Sequence, residues 1–385
     1  MNKNNLLRNI LLIAILFTLM FSLLENPSSS VSLDNLAYIT AIGIDIGDKD
    51  TYKISFQVST IQSSSSDSSE DSTGSSSGGG SSESKSTSFN INTVECNSLD
   101  SGISLMNTYL DKSIDLSHCQ IIVISEDLAK NGIYSIINAM VNKIEIRPDC
   151  NIIISKIPKD EFLDSDKPSI QDLLSEYYDV ATNTENKSGY TENMTVTNFF
   201  YALKCHCNEP FASLGTVRNP KKKTTSSTDN SSSIDKSAQS VGSSTGKPIV
   251  ELLGIAAFKG DKLVGTLDGK DTICYLLLSN KLENTTISIP NPTDNNKNID
   301  LDISLNKKPK IKVKINNTSP YVDIDLTINA KILSLNNNDS KLTTSLLNQI
   351  EDSANKYITS KIYSYLNKTA KDYNSDITNI RKICI

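Results

Sequence analysis

Histidine is scarce and tryptophan is absent. The 385-residue chain carries only His118 and His206. Two histidines leave few groups that titrate near neutral pH, so common hydrolase chemistry has few candidate residues. No phosphate-cradling glycine loop and no dinucleotide fingerprint occurs. A basic excess is missing too: 38 Lys and Arg stand against 44 Asp and Glu, a net charge of −6. That balance argues against a nucleic-acid partner, and no basic cluster interleaved with aromatics appears. The basic run Lys221 to Lys223 opens a low-complexity tract and reads as a solvated loop end. Seven cysteines make an odd count with no paired framework spacing. Several lie among apolar neighbours, where a free thiol acts as a small hydrophobe, so they read as mostly reduced and structural.

What is present is organised around Leu116 to Ile157. Gln120 to Ser125 is an apolar, β-branched run, suited to a strand buried on both faces. Ser125 stands at an N-cap position, with Glu126 and Asp127 in the first turn, where the helix dipole favours negative charge. Leu128, Ile133, Ile136, Ile137, Met140 and Val141 follow at helical spacing. Gly132 interrupts them, which predicts a short helix, a kink and a second helix. Asn151 to Ile157 is a second apolar run. Strand, helix and strand in this order predict a parallel crossover unit.

Upstream, Lys3 and Arg8 precede an apolar run from Ile10 to Leu24, the pattern of a signal peptide or signal anchor over residues 1–31. No A-x-A cleavage pattern and no cysteine follows it, so an uncleaved tether is expected. Leu33 to Ile46 and Thr51 to Ile61 read as a hairpin around Gly47 to Asp50, with Tyr52, Ile54, Phe56 and Val58 on one face. Residues 63–88 are Ser- and Gly-rich and cannot bury apolar area. Phe89 to Val94 resumes a strand. Ser98 to Asp111 reads as a helix with Ile103, Met106, Tyr109 and Leu110 inward. Asp160 to Leu163 and Ser169 to Val180 read as short helices.

Downstream, Met194 to Leu203 predicts a helix and Ala212 to Val217 a strand. Residues 219–247 form a second low-complexity tract. Ile249 to Leu267 predicts a hairpin turning at Lys259, Gly260 and Asp261, and Asp271 to Ser279 a short helix. Leu301 to Leu305, Ile311 to Ile315 and Val322 to Leu333 alternate as a meander. Lys341 to Tyr373 predicts a long helix with Leu346, Leu347, Ile350, Ile358, Ile362 and Leu366 as its buried stripe. The expected fold is α+β and multi-domain: mixed sheets flanked by helices, and a C-terminal antiparallel sheet packed by the long helix. The expected divisions are 1–31, 32–200, 201–284 and 285–385.

Chemistry finds little to stand on. Cys205, His206 and Cys207 form a cluster of soft ligands without the second pair a structural zinc needs; His118 and Cys119 would have to join from elsewhere. A Cys/His nucleophile pair would use Cys119 or Cys205, but nothing in the sequence orients a base. Asp45, Asp48 and Asp50 surround a turn and lack the closing Glu of a calcium loop. No catalytic, cofactor-binding or metal residue is assigned. The residues alone describe an exported, tethered α+β protein that binds rather than transforms.

Three stretches, in order, carry a resemblance. Leu36 to Asp45 with Tyr52 to Val58, then Leu116, His118, Ile121 to Ile124 and Glu126 to Ile133 followed by Glu145-Ile146-Arg147-Pro148, then Ala257 to Gly265, together resemble the Ger(x)C family, the C subunits of spore germinant receptors. The likeness runs from about Leu33 to about Ile377. It implies a non-catalytic subunit on the outer face of the spore inner membrane, acting with A and B subunits that are membrane proteins, with any contact to the nutrient germinant indirect. No family residue is carried over as catalytic. Gly43, Gly132 and Gly265 read as backbone-geometry positions, His118 as structural, and Arg147 as pairing with Glu145 or a strand-end carboxylate. Typical members carry a lipobox cysteine followed by Trp-Asp. Here Leu24-Glu25-Asn26-Pro27 stands instead, so a retained signal anchor is expected in place of a lipid. Family members also continue past the long helix to a last strand, so a truncated C-terminus lacking an edge strand is expected after Asp372 to Ile377. The competing expectation is an exported solute-binding or envelope-interaction protein.

Overall fold

A computed structural model describes residues 3–23, 35–60, 88–165, 178, 188–205, 208–218, 249–316, 319–335 and 342–380. The two low-complexity tracts and the helix expected at Ser169 to Val180, Tyr178 apart, lie outside the described residues. The chain divides into two units, Met1–Leu36 and Ala37–Ile385. The first holds α1 (Lys3–Leu23), 21 residues long. Among its described side chains, residues 8–18 and 20, Ile13, Leu16 and Phe17 are exposed. Among the described residues, no helix is long and apolar enough to cross a membrane.

The second unit is built on β1 (Leu36–Ile46), β2 (Tyr52–Thr60), β3 (Ser88–Cys96), β4 (Ser113–Asp115), β5 (Ile121–Ser125), β6 (Asn151–Ser155), β7 (Phe211–Arg218), β8 (Ile249–Lys259) and β9 (Lys262–Leu267). These form a nine-stranded sheet in the order β3-β2-β1-β5-β6-β7-β8-β9, with β4 on β1. The middle is parallel, β1 to β5 to β6 to β7, and both flanks are antiparallel hairpins. A parallel centre demands cover on both faces, and β5 shows it. Ile122 and Ile124 pack into the larger core, Ile121 and Val123 into a second core on the other side. The sheet continues across residue 200, so β7, β8 and β9 extend the sheet that β1 to β6 begin.

Helices cover both faces. α2 (Leu99–Tyr109), α3 (Glu126–Asn131), α4 (Tyr134–Val141), α6 (Val196–Cys205) and α7 (Gly269–Leu278) contribute to the larger core, and α5 (Lys159–Ser165) to the smaller through Phe162 and Leu163. α2 is capped by Ser98 and buries Leu99, Ile103 and Met106. Tyr109, expected inward, is 76% exposed; it ends the helix, beyond the last turn that meets the sheet. The expected crossover is present. The Ser125 hydroxyl accepts from the Leu128 N–H, Gly132 ends α3 at φ 116°, and α4 begins at Tyr134.

β10 (Thr285–Asn291), β11 (Asp294–Leu305), β12 (Lys310–Asn316), β13 (Ser319–Asp325) and β14 (Ile328–Ser334) follow, then α8 (Thr344–Asn367) and a π turn over Lys368–Asp372. They are not the expected meander. β10, β11 and β14 form one sheet, while β12 and β13 stand apart as a hairpin. The run Val322 to Leu333 is two strands with different partners. Its alternation passes unbroken through Leu326 and Ile328, so a period of two cannot mark where the partner changes. α8 buries Leu346, Ile350 and Ala354, with Ile358, Ile362 and Leu366 half-buried. Leu347, expected in the stripe, is 39% exposed.

Candidate functional site

The stretches singled out in the sequence meet in space. The turn of the β8–β9 hairpin caps the second helix of the crossover. The Ile133 N–H donates to the Asp261 carbonyl at 3.0 Å, and the Tyr134 N–H donates to Asp261 Oδ2 at 3.3 Å. A carboxylate at a helix start satisfies an N–H that has no partner within the helix and meets the positive end of its dipole. Gly132 is fitted to this contact: a Cβ there would lie 2.7 Å from Asp261 Oδ2, and its φ of +116° is one few L-residues adopt. The same hairpin receives the chain after α8. A Cβ on Gly265 would lie 2.2 Å from the Tyr373 ring, whose hydroxyl donates to the Thr266 carbonyl at 2.8 Å. The Ser375 hydroxyl donates to the Phe258 carbonyl at 2.5 Å, and Lys368 pairs with Asp271 at 2.8 Å. Burial would lower the Lys368 pKa, but the Asp271 carboxylate outweighs it and holds the ammonium above its usual range.

Sequence reasoning missed a buried polar network on the other face. Lys159 is 2% exposed, yet its ammonium donates to Ser55 Oγ and Asp160 Oδ1, each at 2.7 Å. Ser55 Oγ donates to the same Asp160 oxygen at 2.5 Å. Beside it, the Tyr178 hydroxyl donates to Gln57 Oε1 at 2.6 Å, and Gln57 Nε2 to the Leu163 carbonyl at 3.1 Å. Burial alone would raise the Asp160 carboxyl. Hydrogen bonds from Lys159 and Ser55, with the Lys159 charge, prevail and hold it below the usual carboxylate range. The sequence pointed the other way: Ser55 and Gln57 alternate with Ile54, Phe56 and Val58 on a wholly polar side of β2, the pattern of a solvent-facing strand.

Two concave surfaces offer contact to other molecules. A groove of about 600 Å³ runs between α8 and the C-terminal strands. Its floor is apolar, with Ile303, Ile324, Ile328, Ile350 and Ile358, and Glu351, Asn355, Thr359 and Tyr363 stand at its lip on α8. A second cleft of about 370 Å³ is polar, lined by Asn193, Asn198, Tyr201, Tyr275, Lys281 and Asn379 among others. Lys281 pairs there with the buried carboxylate of Glu192 and lies over the Phe211 ring at 5.8 Å. Burial pushes the Tyr275 hydroxyl up to about 12.

The sequence candidates for chemistry fall apart. Cys205 is disulfide-bonded, which corrects its reading as a reduced thiol and removes it as nucleophile or ligand. His206 and Cys207 lie outside the described residues. His118 is exposed and meets the Tyr38 ring edge-on at 4.9 Å, while Cys119 is fully buried beside Cys150; adjacent residues, they face opposite ways. Asp45 accepts from the Ser125 hydroxyl at 2.5 Å, Asp48 pairs loosely with Lys53, and Asp50 takes a φ of 64° in the turn. Arg147 pairs with Asp149 at 2.5 Å, just before β6. Among the described residues no group of three or more acidic, cysteine or histidine side chains is placed to hold a metal.

Residues 29–217 match the family described as spore germination protein N-terminal domain, and residues 253–384 match the one described as spore germination B3/GerAC like, C-terminal. Among solved structures, the chain is similar to one titled "Crystal Structure of the GerBC protein", at 15% identity, with 89% of this chain and 86% of that chain covered and a TM-score of 0.46. No curated protein matches.

Proposed function

The chain belongs to the GerAC-like family of spore germination proteins, and from that premise we propose that it is the non-catalytic C subunit of a nutrient germinant receptor. The observation that carries this reading is the pair of family matches, in order, over 29–217 and 253–384. The family is not known as an enzyme family. In this reading the chain acts at the outer face of the spore inner membrane with an A and a B subunit, both membrane proteins. α1 is its tether: Arg8 sits at the foot of an apolar stretch whose described large side chains are exposed, as a segment destined for lipid requires. The body supplies interaction surface rather than turnover. The apolar groove beside α8 is of a kind that partner segments fill.

The test is detergent co-purification of the tagged full chain from dormant-spore inner membranes, with mass spectrometry of its partners and of its own N-terminus. Recovery with A and B subunits and with Met1 to Leu24 intact supports the reading. Recovery as a soluble, partnerless protein overturns it. The polar cleft favours a second reading, an exported solute-binding protein. That reading requires saturable binding of a small polar solute by the purified chain alone, lost on Lys281→Ala.

A further inference from the structure

Cys119 and Cys150 stand just before β5 and β6. The parallel register sets Ile121 opposite Asn151, and the Asn151 N–H donates to the Gln120 carbonyl at 2.8 Å. These bonds bring the chain immediately before the two strands side by side. The Sγ atoms lie 3.8 Å apart, with the residues 0% and 1% exposed. Cys96, Cys119, Cys150 and Cys274 are all buried free thiols here; a buried cysteine is ordinarily a small hydrophobe, and Cys96 and Cys274 fit that description. The meeting of two thiols across neighbouring strands sets this pair apart. A disulfide needs Cα atoms roughly 4.4–6.8 Å apart, and adjacent strands lie about 4.8 Å apart. The two sulfurs, in contact at 3.8 Å, must approach by roughly 1.8 Å to reach the S–S bond length of about 2.0 Å. A second observation points the same way. Cys205 is already disulfide-bonded, so the fold presumes surroundings in which thiols oxidise.

We propose that Cys119 and Cys150 form a disulfide that staples the starts of the parallel strands β5 and β6. Two S–H bonds break and one S–S bond forms. The two electrons and two protons pass to a disulfide oxidant of the thiol–disulfide exchange class, whose own bridge becomes two thiols. The bridge is made during folding, before the strands seal. Exchange requires a thiolate, and burial in the finished fold pushes the Cys150 thiol well above its ordinary pKa. Once made, the bridge is shielded from reductants. The loop it closes contains α3, α4 and the Gly132 contact with Asp261, so the staple fixes the crossover against the β8–β9 hairpin.

The test uses the full chain exported into an oxidising compartment, unfolded in alkylating reagent without reductant, digested and weighed. The expected result is a linked pair of peptides carrying Cys119 and Cys150, with Cys96 and Cys274 alkylated. Alkylation of both Cys119 and Cys150 in a sample whose Cys205 is bridged overturns the proposal. A second measurement compares melting temperatures. Cys119→Ala, Cys150→Ala and the double variant should melt at one lowered temperature. Reduction during refolding should lower wild type more than the double variant, because both lose the Cys205 bridge and only wild type loses a second one. Additive losses from the two single changes, as two independent core thiols would give, also overturn it.

Discussion

Gly265 shows how much one atom decides. An added methyl would meet the Tyr373 ring at 2.2 Å, so Gly265→Ala should displace that ring and break its bond to Thr266. The expected loss is about 1–3 kcal/mol, the range for overpacking. In a double-mutant cycle, Tyr373→Ala should cancel most of the added loss, because the clash has one partner; chemical denaturation of the four proteins reads it. Lys159 and Asp160 give a pH signature. The Asp160 carboxyl is held below its ordinary value of 3.8, so its contribution is present above about pH 4 and is lost as the pH falls through the lower folded value. The melting temperature of wild type should therefore fall more steeply than that of Asp160→Asn below about pH 4. The effect should be modest, since the Asp160 side chain is 57% exposed and solvent screens it. Parallel melting curves against pH would sink the assignment.

At the scale of elements, the crossover is the best-specified piece. Ser125 serves twice: its hydroxyl accepts from the Leu128 N–H at 3.3 Å and donates to Asp45 at 2.5 Å. Ser125→Ala should cost about 1–2 kcal/mol, because the Leu128 N–H loses its cap while Asp45 Oδ1 keeps the Ile46 N–H, read as a shift in denaturation midpoint at constant slope. α8 depends on tertiary contact instead. It is 24 residues long and buries few of them fully, so Ile350, packed against the β10–β11–β14 layer, carries much of its attachment. Ile350→Ala should destabilise by about 2–5 kcal/mol, and hydrogen exchange should show protection lost in α8 before the nine-stranded sheet. Uniform loss across both would show that the two elements melt as one.

For the whole molecule, the hairpin β8–β9 is the meeting point. Its turn caps α4 through Asp261, and its backbone receives Tyr373 and Ser375 from the end of the chain. Stretches more than 100 residues apart therefore stabilise one another. Truncation before Tyr373 should lower the melting temperature of the second unit, because the β8–β9 hairpin loses the Tyr373 and Ser375 bonds, as calorimetry would show. At the same scale, removal of residues 3–23 should shift the chain from the membrane fraction to the soluble one if α1 is the tether, and retention in the membrane would assign anchoring to its partners.

Local rules were enough for much of this. The apolar run of β5, the cap at Ser125, the break at Gly132 and the turn at Gly260 are visible because each reflects chemistry within a few residues: periodicity, a side-chain oxygen at a helix start, a backbone conformation suited to glycine. The pairing of strands was not visible. β14 joins β11 and leaves the β12–β13 hairpin aside, because alternation tells which face a residue takes and not which neighbour it meets. The buried Lys159, the closeness of Cys119 to Cys150, the Cys205 bridge and the two clefts all required the packed chain. They arise where residues distant in sequence are brought within a few ångströms, and that proximity is set by how sheet and helices close on one another, which no local pattern encodes.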